Sequence, residues 1–175
     1  MKNWRSGFTL IEVTIAMALI VLAFGGLMTV FLLSEDVKTA VKYDMIAQNL
    51  AKEGLELVRF KRDKNYNDGF PAPVDGFTGI YDNTGTPYLF TIDSNLTVTG
   101  VPVGTTVQTS PTLKIYQSAY GYDPSGTNTV FKRLITTTYD KSSTPPILKI
   151  EVQVLWQSDN RQKVLTVQEE LTDWH

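Results

Sequence analysis

The sequence predicts an α+β protein. A long N-terminal α-helix, with a transmembrane half and an amphipathic half, packs on a C-terminal antiparallel β-sheet. Three observations carry this expectation. Val13 to Leu33 contains no charged residue. From Val37 to Val58, apolar residues recur at three- and four-residue spacing. Beyond Tyr88, short runs of Val, Ile, Leu, Thr and Tyr alternate with clusters of Gly, Pro, Asn and Asp.

Met1 to Gly7 is short and polar and carries Lys2 and Arg5. Phe8-Thr9-Leu10-Ile11-Glu12 comes next, then the apolar run Val13–Leu33. About 20 helical residues span a bilayer core of about 30 Å, so the run is long enough to cross one. The basic flank places the N-terminus in the cytoplasm and the C-terminal part outside. A secretory signal peptide would have an apolar core of about 7–15 residues and a small-x-small cleavage site after it. Here the run is longer, no Ala-x-Ala break succeeds it, and Ser34-Glu35-Asp36 reads as a membrane exit.

A plain signal anchor explains all of this except Glu12. A carboxylate at membrane depth costs about 2.5–3.5 kcal/mol on insertion scales, and less near the interface. Its helix offers no basic residue within a turn, so a partner charge from elsewhere is expected. The run Gly7-Phe8-Thr9-Leu10-Ile11-Glu12-Val13 resembles the class III signal of type IV prepilins and type II secretion pseudopilins. That resemblance implies cleavage by a prepilin peptidase between Gly7 and Phe8, with Phe8 N-methylated. It also implies that Glu12 pairs with the N-terminal amine of a neighbouring subunit. Losing Lys2 and Arg5 would take the formal net charge from −2 to −4.

The expected organisation is a leader at 1–7, a transmembrane and assembly helix at 8–34, and a pilin-like head at 35–175. Within the head are an amphipathic helix (35–62), a variable loop (63–87) and a β-sheet (88–173). The helix is expected to end near Lys61. Its stripe is Val37, Ala40, Val41, Ala47, Leu50, Ala51, Gly54 and Val58, with Lys38, Lys42, Lys52, Glu56 and Arg59 mainly off it. Gly25-Gly26 interrupts the apolar run, at a cost of about 1 kcal/mol per glycine relative to alanine, and serves either close helix packing or local melting. Strands are expected at Tyr88–Asp93, Leu96–Thr99, Leu113–Tyr120, Val130–Tyr139, Ile147–Trp156 and Lys163–Leu171, as a meander with one apolar face. The clearest has Leu148, Ile150, Val152, Val154 and Trp156 on one side and Lys149, Glu151 and Gln153 on the other.

Catalysis has no constellation here. The chain has no cysteine, and its single histidine is His175, which leaves neither a thiolate site nor a Ser-His-Asp triad. No cofactor or metal is expected. Asp63-Lys64-Asn65-Tyr66-Asn67-Asp68-Gly69 alternates oxygen ligands near a glycine. It departs from the calcium-loop pattern, because Asp68 takes the glycine position and Val74 the place of the closing glutamate. Arg59, Lys61, Arg62 and Lys64 lack the charge density and interleaved aromatics of a nucleic-acid site, so nucleic acid is not expected as a partner. Glu169-Glu170 would point to opposite faces of a strand. Most tyrosines are expected to pack on the sheet; the alternative for exposed ones in Tyr116–Tyr122 is an adhesive or subunit contact.

The resemblance therefore implies a structural subunit, of minor type, in a type IV pilus or type II secretion pseudopilus. Its partners would be the prepilin peptidase, other pilin or pseudopilin subunits, the inner-membrane assembly machinery and the membrane itself. Its location would be single-pass in the cytoplasmic membrane, then in an extracellular or periplasmic filament. The alternative is a displayed binding subunit for adhesion or DNA uptake.

Overall fold

The computed structural model describes residues 9–67, 77–82, 84–158 and 161–172, leaving aside the side chains of residues 35 and 36. The chain divides into two units, Met1–Lys42 and Tyr43–His175. One helix, α1 (Leu10–Asn67), contributes to both. Seven strands come after it: β1 (Tyr88–Ile92), β2 (Val98–Gly100), β3 (Thr112–Tyr116), β4 (Ala119–Gly121), β5 (Thr127–Asp140), β6 (Ile147–Ser158) and β7 (Arg161–Thr172). The α+β arrangement of a long N-terminal helix on a C-terminal antiparallel sheet is thus observed.

In the second unit α1 buries Ala47, Leu50, Ala51, Gly54, Leu55 and Val58. Their 3-1-3-1-3 spacing keeps them within one stripe of the helix surface. Val37 and Val41 have the same spacing yet are 61 % and 53 % exposed, so the expected stripe is overextended at its start. Periodicity marks which residues share a face, and only a covering partner buries them. The helix also runs past Lys61 to Asn67, so the expected loop at 63–87 begins too early. Asn65 explains the extension. It is buried, and its side-chain amide donates to the Thr78 carbonyl at 2.8 Å. That bond offsets the turn-forming preference of the local Asp and Asn residues.

The sheet is not a simple meander. β5, β6 and β7 succeed one another as antiparallel neighbours, whereas β1–β2 and β3–β4 are consecutive pairs that do not continue into the next strand. The other edge of β5 is shared by two hairpins, with β1 against Ile135–Thr137 and β3 against Thr127–Lys132. A 14-residue β5 has room for both, and the β3 pairing shifts register between Thr112 and Lys114. The expected single strand Leu113–Tyr120 is two strands. Gln117 and Ser118 turn the chain between them at φ 48° and 67°. Positive φ at both central residues is the type I′ condition, which suits the right-handed twist of a two-residue hairpin. Gln-Ser lacks the Asn-Gly signal that announces such a turn.

On β6, Leu148, Ile150, Val152, Val154 and Trp156 are buried as expected. They form the main core with the α1 stripe and with Phe77, Ile80, Phe90, Ile92 and Phe131. The opposite face is not wholly polar. Leu134 and Leu155 are buried there with Val107, flanked by Leu89 and Val101. The segment 101–111 provides this cover, and its turns are held by bonds such as Ser110 N to Thr106 O at 2.9 Å.

The tightest point between helix and sheet is Gly54. A Cβ there would lie 2.9 Å from Val152 Cγ1 and 3.2 Å from Arg133 Cδ. We expect Gly54→Ala to destabilise the fold by about 1–3 kcal/mol, because Val152 Cγ1 belongs to a short β-branched side chain and Arg133 Cδ lies mid-chain, so neither yields freely. Val152→Ala removes the closest obstruction, so its cost should be smaller in the Gly54→Ala background than in the wild type. Urea unfolding of the four proteins measures that coupling, and strict additivity would contradict the close approach.

Candidate functional site

The N-terminal helix begins with a cap. Glu12 N donates to Thr9 O at 3.1 Å and reaches the Thr9 hydroxyl at 3.4 Å, while Val13 N donates to Thr9 O at 3.2 Å. Threonine suits this place because its oxygen accepts from the otherwise unpaired amides of the first turn. Thr9 and Glu12 also have the spacing of a capping box. Glu12 therefore stands where the helix end carries partial positive charge, worth about 0.3–1 kcal/mol to a carboxylate. The sequence offers no partner charge within this helix, and the helix end adds a partial positive charge without a counter-ion. Among the described residues no cation pairs with its carboxylate. Gly7 and Phe8 lie outside the described residues.

From Leu10 to Leu33 the first unit presents apolar side chains on every side, all exposed. The helix holds a segment long and apolar enough to cross a membrane, with mean hydropathy 2.5. Its hydroxyls are satisfied internally: Thr14 Oγ1 donates to Ile11 O at 2.8 Å and Thr29 Oγ1 to Gly25 O at 3.1 Å. A hydroxyl in hydrocarbon needs such a bond. Glu12, Val13, Ala16, Met17 and Ile20 line a shallow groove of about 290 Å³ along one face, where Ala16 leaves an indentation. The helix passes through Gly25 and Gly26 without a break, and a Cβ at either would meet nothing within 4 Å.

In the head, Asp63 to Asn67 are helical, so they do not form the ligand loop weighed in the sequence. Asp68, Gly69 and Val74 lie outside the described residues. Among the described residues no group of three or more His, Cys, Asp or Glu could hold a metal. The basic cluster is partly committed to carboxylates. Arg59 binds Glu169 at 2.5 Å and Glu56 at 2.6 Å, and Arg62 binds Asp63 at 2.8 Å. The bond that Arg59 donates to Glu169 raises the Arg59 pKa above its ordinary value. Glu169 faces α1 while Glu170 is exposed, so the two do point to opposite faces. His175 lies outside the described residues.

The tyrosines mostly pack. Tyr81 contacts Tyr139, Tyr88 stacks on Phe90, and Tyr120 meets the Phe131 edge. Tyr122 donates to the Arg133 carbonyl at 3.0 Å, and burial pushes its phenol pKa up. Tyr116 stays exposed.

Arg133 is the residue that sequence reasoning missed. It is 1 % exposed, and its Nη1 donates to Leu50 O and to Glu53 Oε1, both at 3.1 Å. Its Nη2 donates to Ile92 O at 3.0 Å. A signal existed: Arg133 takes an inward place in the alternation Phe131, Arg133, Ile135, Thr137, Tyr139.

No protein-family model matches the chain, and no curated protein or solved structure matches it.

The open space at Gly25 and Gly26 makes a clear expectation. Replacing both with alanine should stabilise the helix by about 1 kcal/mol per site. Hydrogen exchange in detergent should then slow about fivefold or more over Leu22–Phe31. Unchanged exchange would show that the glycines are not the helix's weak point.

Proposed function

We propose that this chain is a filament subunit of the type IV pilin or pseudopilin kind, cleaved between Gly7 and Phe8 and assembled through its N-terminal helix. The observation that carries the reading is Glu12, a carboxylate opening an apolar membrane-length helix and paired with no cation among the described residues. The sequence Gly7-Phe8-Thr9-Leu10-Ile11-Glu12 resembles a prepilin processing site, and the head fold has the layout that such subunits need. Lys2 and Arg5 support a cytoplasmic N-terminus, with the head on the other side of the membrane. The role assigned is structural, with no reaction catalysed.

In this reading the peptidase removes Met1–Gly7 and exposes the α-amine of Phe8. An incoming subunit brings that amine to the depth of a neighbour's Glu12. Two opposite charges in a poorly solvated place are tolerated as a pair, and the pair fixes the axial register of two otherwise featureless apolar helices. Prepilin peptidase, sister subunits and the inner-membrane assembly machinery are the partners this mechanism requires.

Two outcomes are expected. Intact-mass analysis of membrane-extracted protein should show loss of Met1–Gly7 and one added methyl group on Phe8. An N-terminus lying after Leu33 would establish an ordinary signal peptide instead. Glu12→Ala protein should insert and be cleaved normally, because the local helix-end contribution it loses is only about 0.3–1 kcal/mol. It should nevertheless cross-link poorly to its neighbours. The chain has no cysteine, so cysteine pairs placed between residues 13 and 27 report helix contacts without background. Equal cross-linking in wild-type and Glu12→Ala cells, at matched protein levels, would remove the register role.

A further inference from the structure

We propose that the groove beside the β3–β4 hairpin is a binding site for a neutral saccharide. Its volume is about 450 Å³, and it lies between that hairpin, the β1–β2 turn and the turn that precedes β5. Tyr116, Asp93, Asn95, Gln117, Asp123 and Lys114 supply its chemistry. That volume falls in the usual range for small-ligand sites and accommodates one or two sugar rings.

Each wall is braced by half of a carboxylate. Asp93 Oδ1 accepts from Asn95 N at 3.0 Å and Thr97 N at 2.8 Å, which closes the β1–β2 turn. Asp123 Oδ1 accepts from Ser125 N at 2.8 Å and fixes the other turn. In both residues Oδ2 makes no bond among the described residues. Two acceptors are therefore held in place, on loops already ordered, with their capacity unspent. The Asn95 side-chain amide and the Gln117 carbonyl oxygen are likewise unengaged among the described residues. Planar amides and carboxylates of this kind engage adjacent sugar hydroxyls in pairs.

The aromatic side is also divided by role. Tyr120 is set against the Phe131 edge and Tyr122 is tied to the Arg133 carbonyl, so the floor is rigid. Tyr116 is 43 % exposed, and its hydroxyl receives only a long bond, 3.4 Å, from Gln117 Nε2. A ring face beside a set of hydrogen-bonding groups matches the mixed surface of a pyranose, apolar on its C–H face and polar at its rim.

Charge narrows the ligand class. Two carboxylates facing one ammonium disfavour phosphates and other anions. Lys114 Nζ donates to the Pro124 carbonyl at 3.2 Å, so a positive charge already present in the groove offsets one of its two carboxylates and weakens the pull on a cation. The backbone points the same way. The non-glycine residues at positive φ among those described are Leu96, Gln117 and Ser118, and all three flank this groove. Such conformations persist where the surroundings enforce them, and they gather at binding sites. The site stands on the head alone, so it does not depend on the filament reading.

The test uses the full chain in lauryldimethylamine oxide micelles, since a glycoside detergent would itself be a ligand. Saturation-transfer NMR is recorded with cellotriose, chitotriose and mannotriose, with trilysine as the competing probe. Transfer to the ring C–H protons of at least one trisaccharide is expected. Tyr116→Ala should weaken it about tenfold by removing the stacking face. Asp123→Asn should do the same by turning an acceptor into a donor, while its Oδ1 keeps the Ser125 bond and the fold. Amide spectra should otherwise match the wild type. No transfer to any trisaccharide, transfer unchanged in Tyr116→Ala, or preference for trilysine would overturn the assignment.

Discussion

Arg133 sits beneath α1 on the β5 face that also buries Phe131, Ile135 and Thr137, and its guanidinium ties the helix to two strands of the head. Withdrawing such a charge from water costs several kcal/mol even after relaxation. Glu53, itself half exposed, supplies the counter-charge at 3.1 Å. The carbonyls of Leu50 and Ile92 take two further N–H groups, so that of the three guanidinium nitrogens Nε makes no bond among the described residues. One side chain on β5 thus holds a turn of α1 and the end of β1. These contacts need the helix close to the sheet, and Gly54 permits that approach by presenting no Cβ toward Val152. Methionine in place of Arg133 would fill much of the same space without the desolvation cost, so the arginine is better understood as fixing position than as adding stability. A one-residue slip of β5 would turn Arg133 to the reverse face and bring Lys132 or Leu134 under the helix. Either exchange leaves Leu134's partners or Glu53 unmatched.

The same strand explains the shape of the sheet. β5 pairs with β6 along its second half and still has a free edge long enough for two hairpins. Tyr122, just beyond β4, reaches back to the Arg133 carbonyl, and Thr137 bonds to the Ile80 carbonyl at 2.5 Å. Segments distant in sequence are thereby tied to two points on one strand. Thr112 to Gly121 then forms a hairpin anchored to β5 by its first strand. The polar groove forms there because its walls are turns closed by their own aspartates, Asp93 and Asp123, and not by the core.

Much of this was legible in the sequence, and the exceptions share a cause. The apolar run, the α1 stripe from Ala47 to Val58 and the alternation on β6 are periodic over many residues, so local pattern and tertiary structure agree. Where the reading failed, a distant residue decided the outcome. Asn65 stays helical because Thr78 accepts from its amide. Leu155 is buried on the reverse face because Val107 covers it. The Gln117-Ser118 turn carries none of the residues that make positive φ inexpensive, so no composition rule could reveal it. Val37 and Val41 fail in the other direction, keeping the period without the partner. At the candidate site, Thr9 and Glu12 could have been recognised as a cap from their spacing alone, while Arg133 required knowing which face of β5 looked inward.

The cap does not exhaust what Glu12 requires, and magnitudes separate the two contributions. A carboxylate in the first turn gains about 0.3–1 kcal/mol from the helix end, and the Thr9 hydroxyl bond to the Glu12 amide, at 3.4 Å, is long. Serving only as a first-turn anion, Glu12 could as well have stood ahead of the bilayer, with an apolar residue in its place. Were the helix to cross a bilayer, immersion beside Ile11, Val13 and Ile15 would cost up to about 2.5–3.5 kcal/mol, depending on depth. Under the proposed function, the deficit of about 2 kcal/mol at full depth is the part left for a second molecule to supply. Among the described residues the head's core draws on residues from Tyr43 onward, so that pairing contributes nothing to it. On that proposal the energy would be released only on assembly, which is what a subunit would need if it is to wait in the membrane as a monomer and add to a growing end in one register.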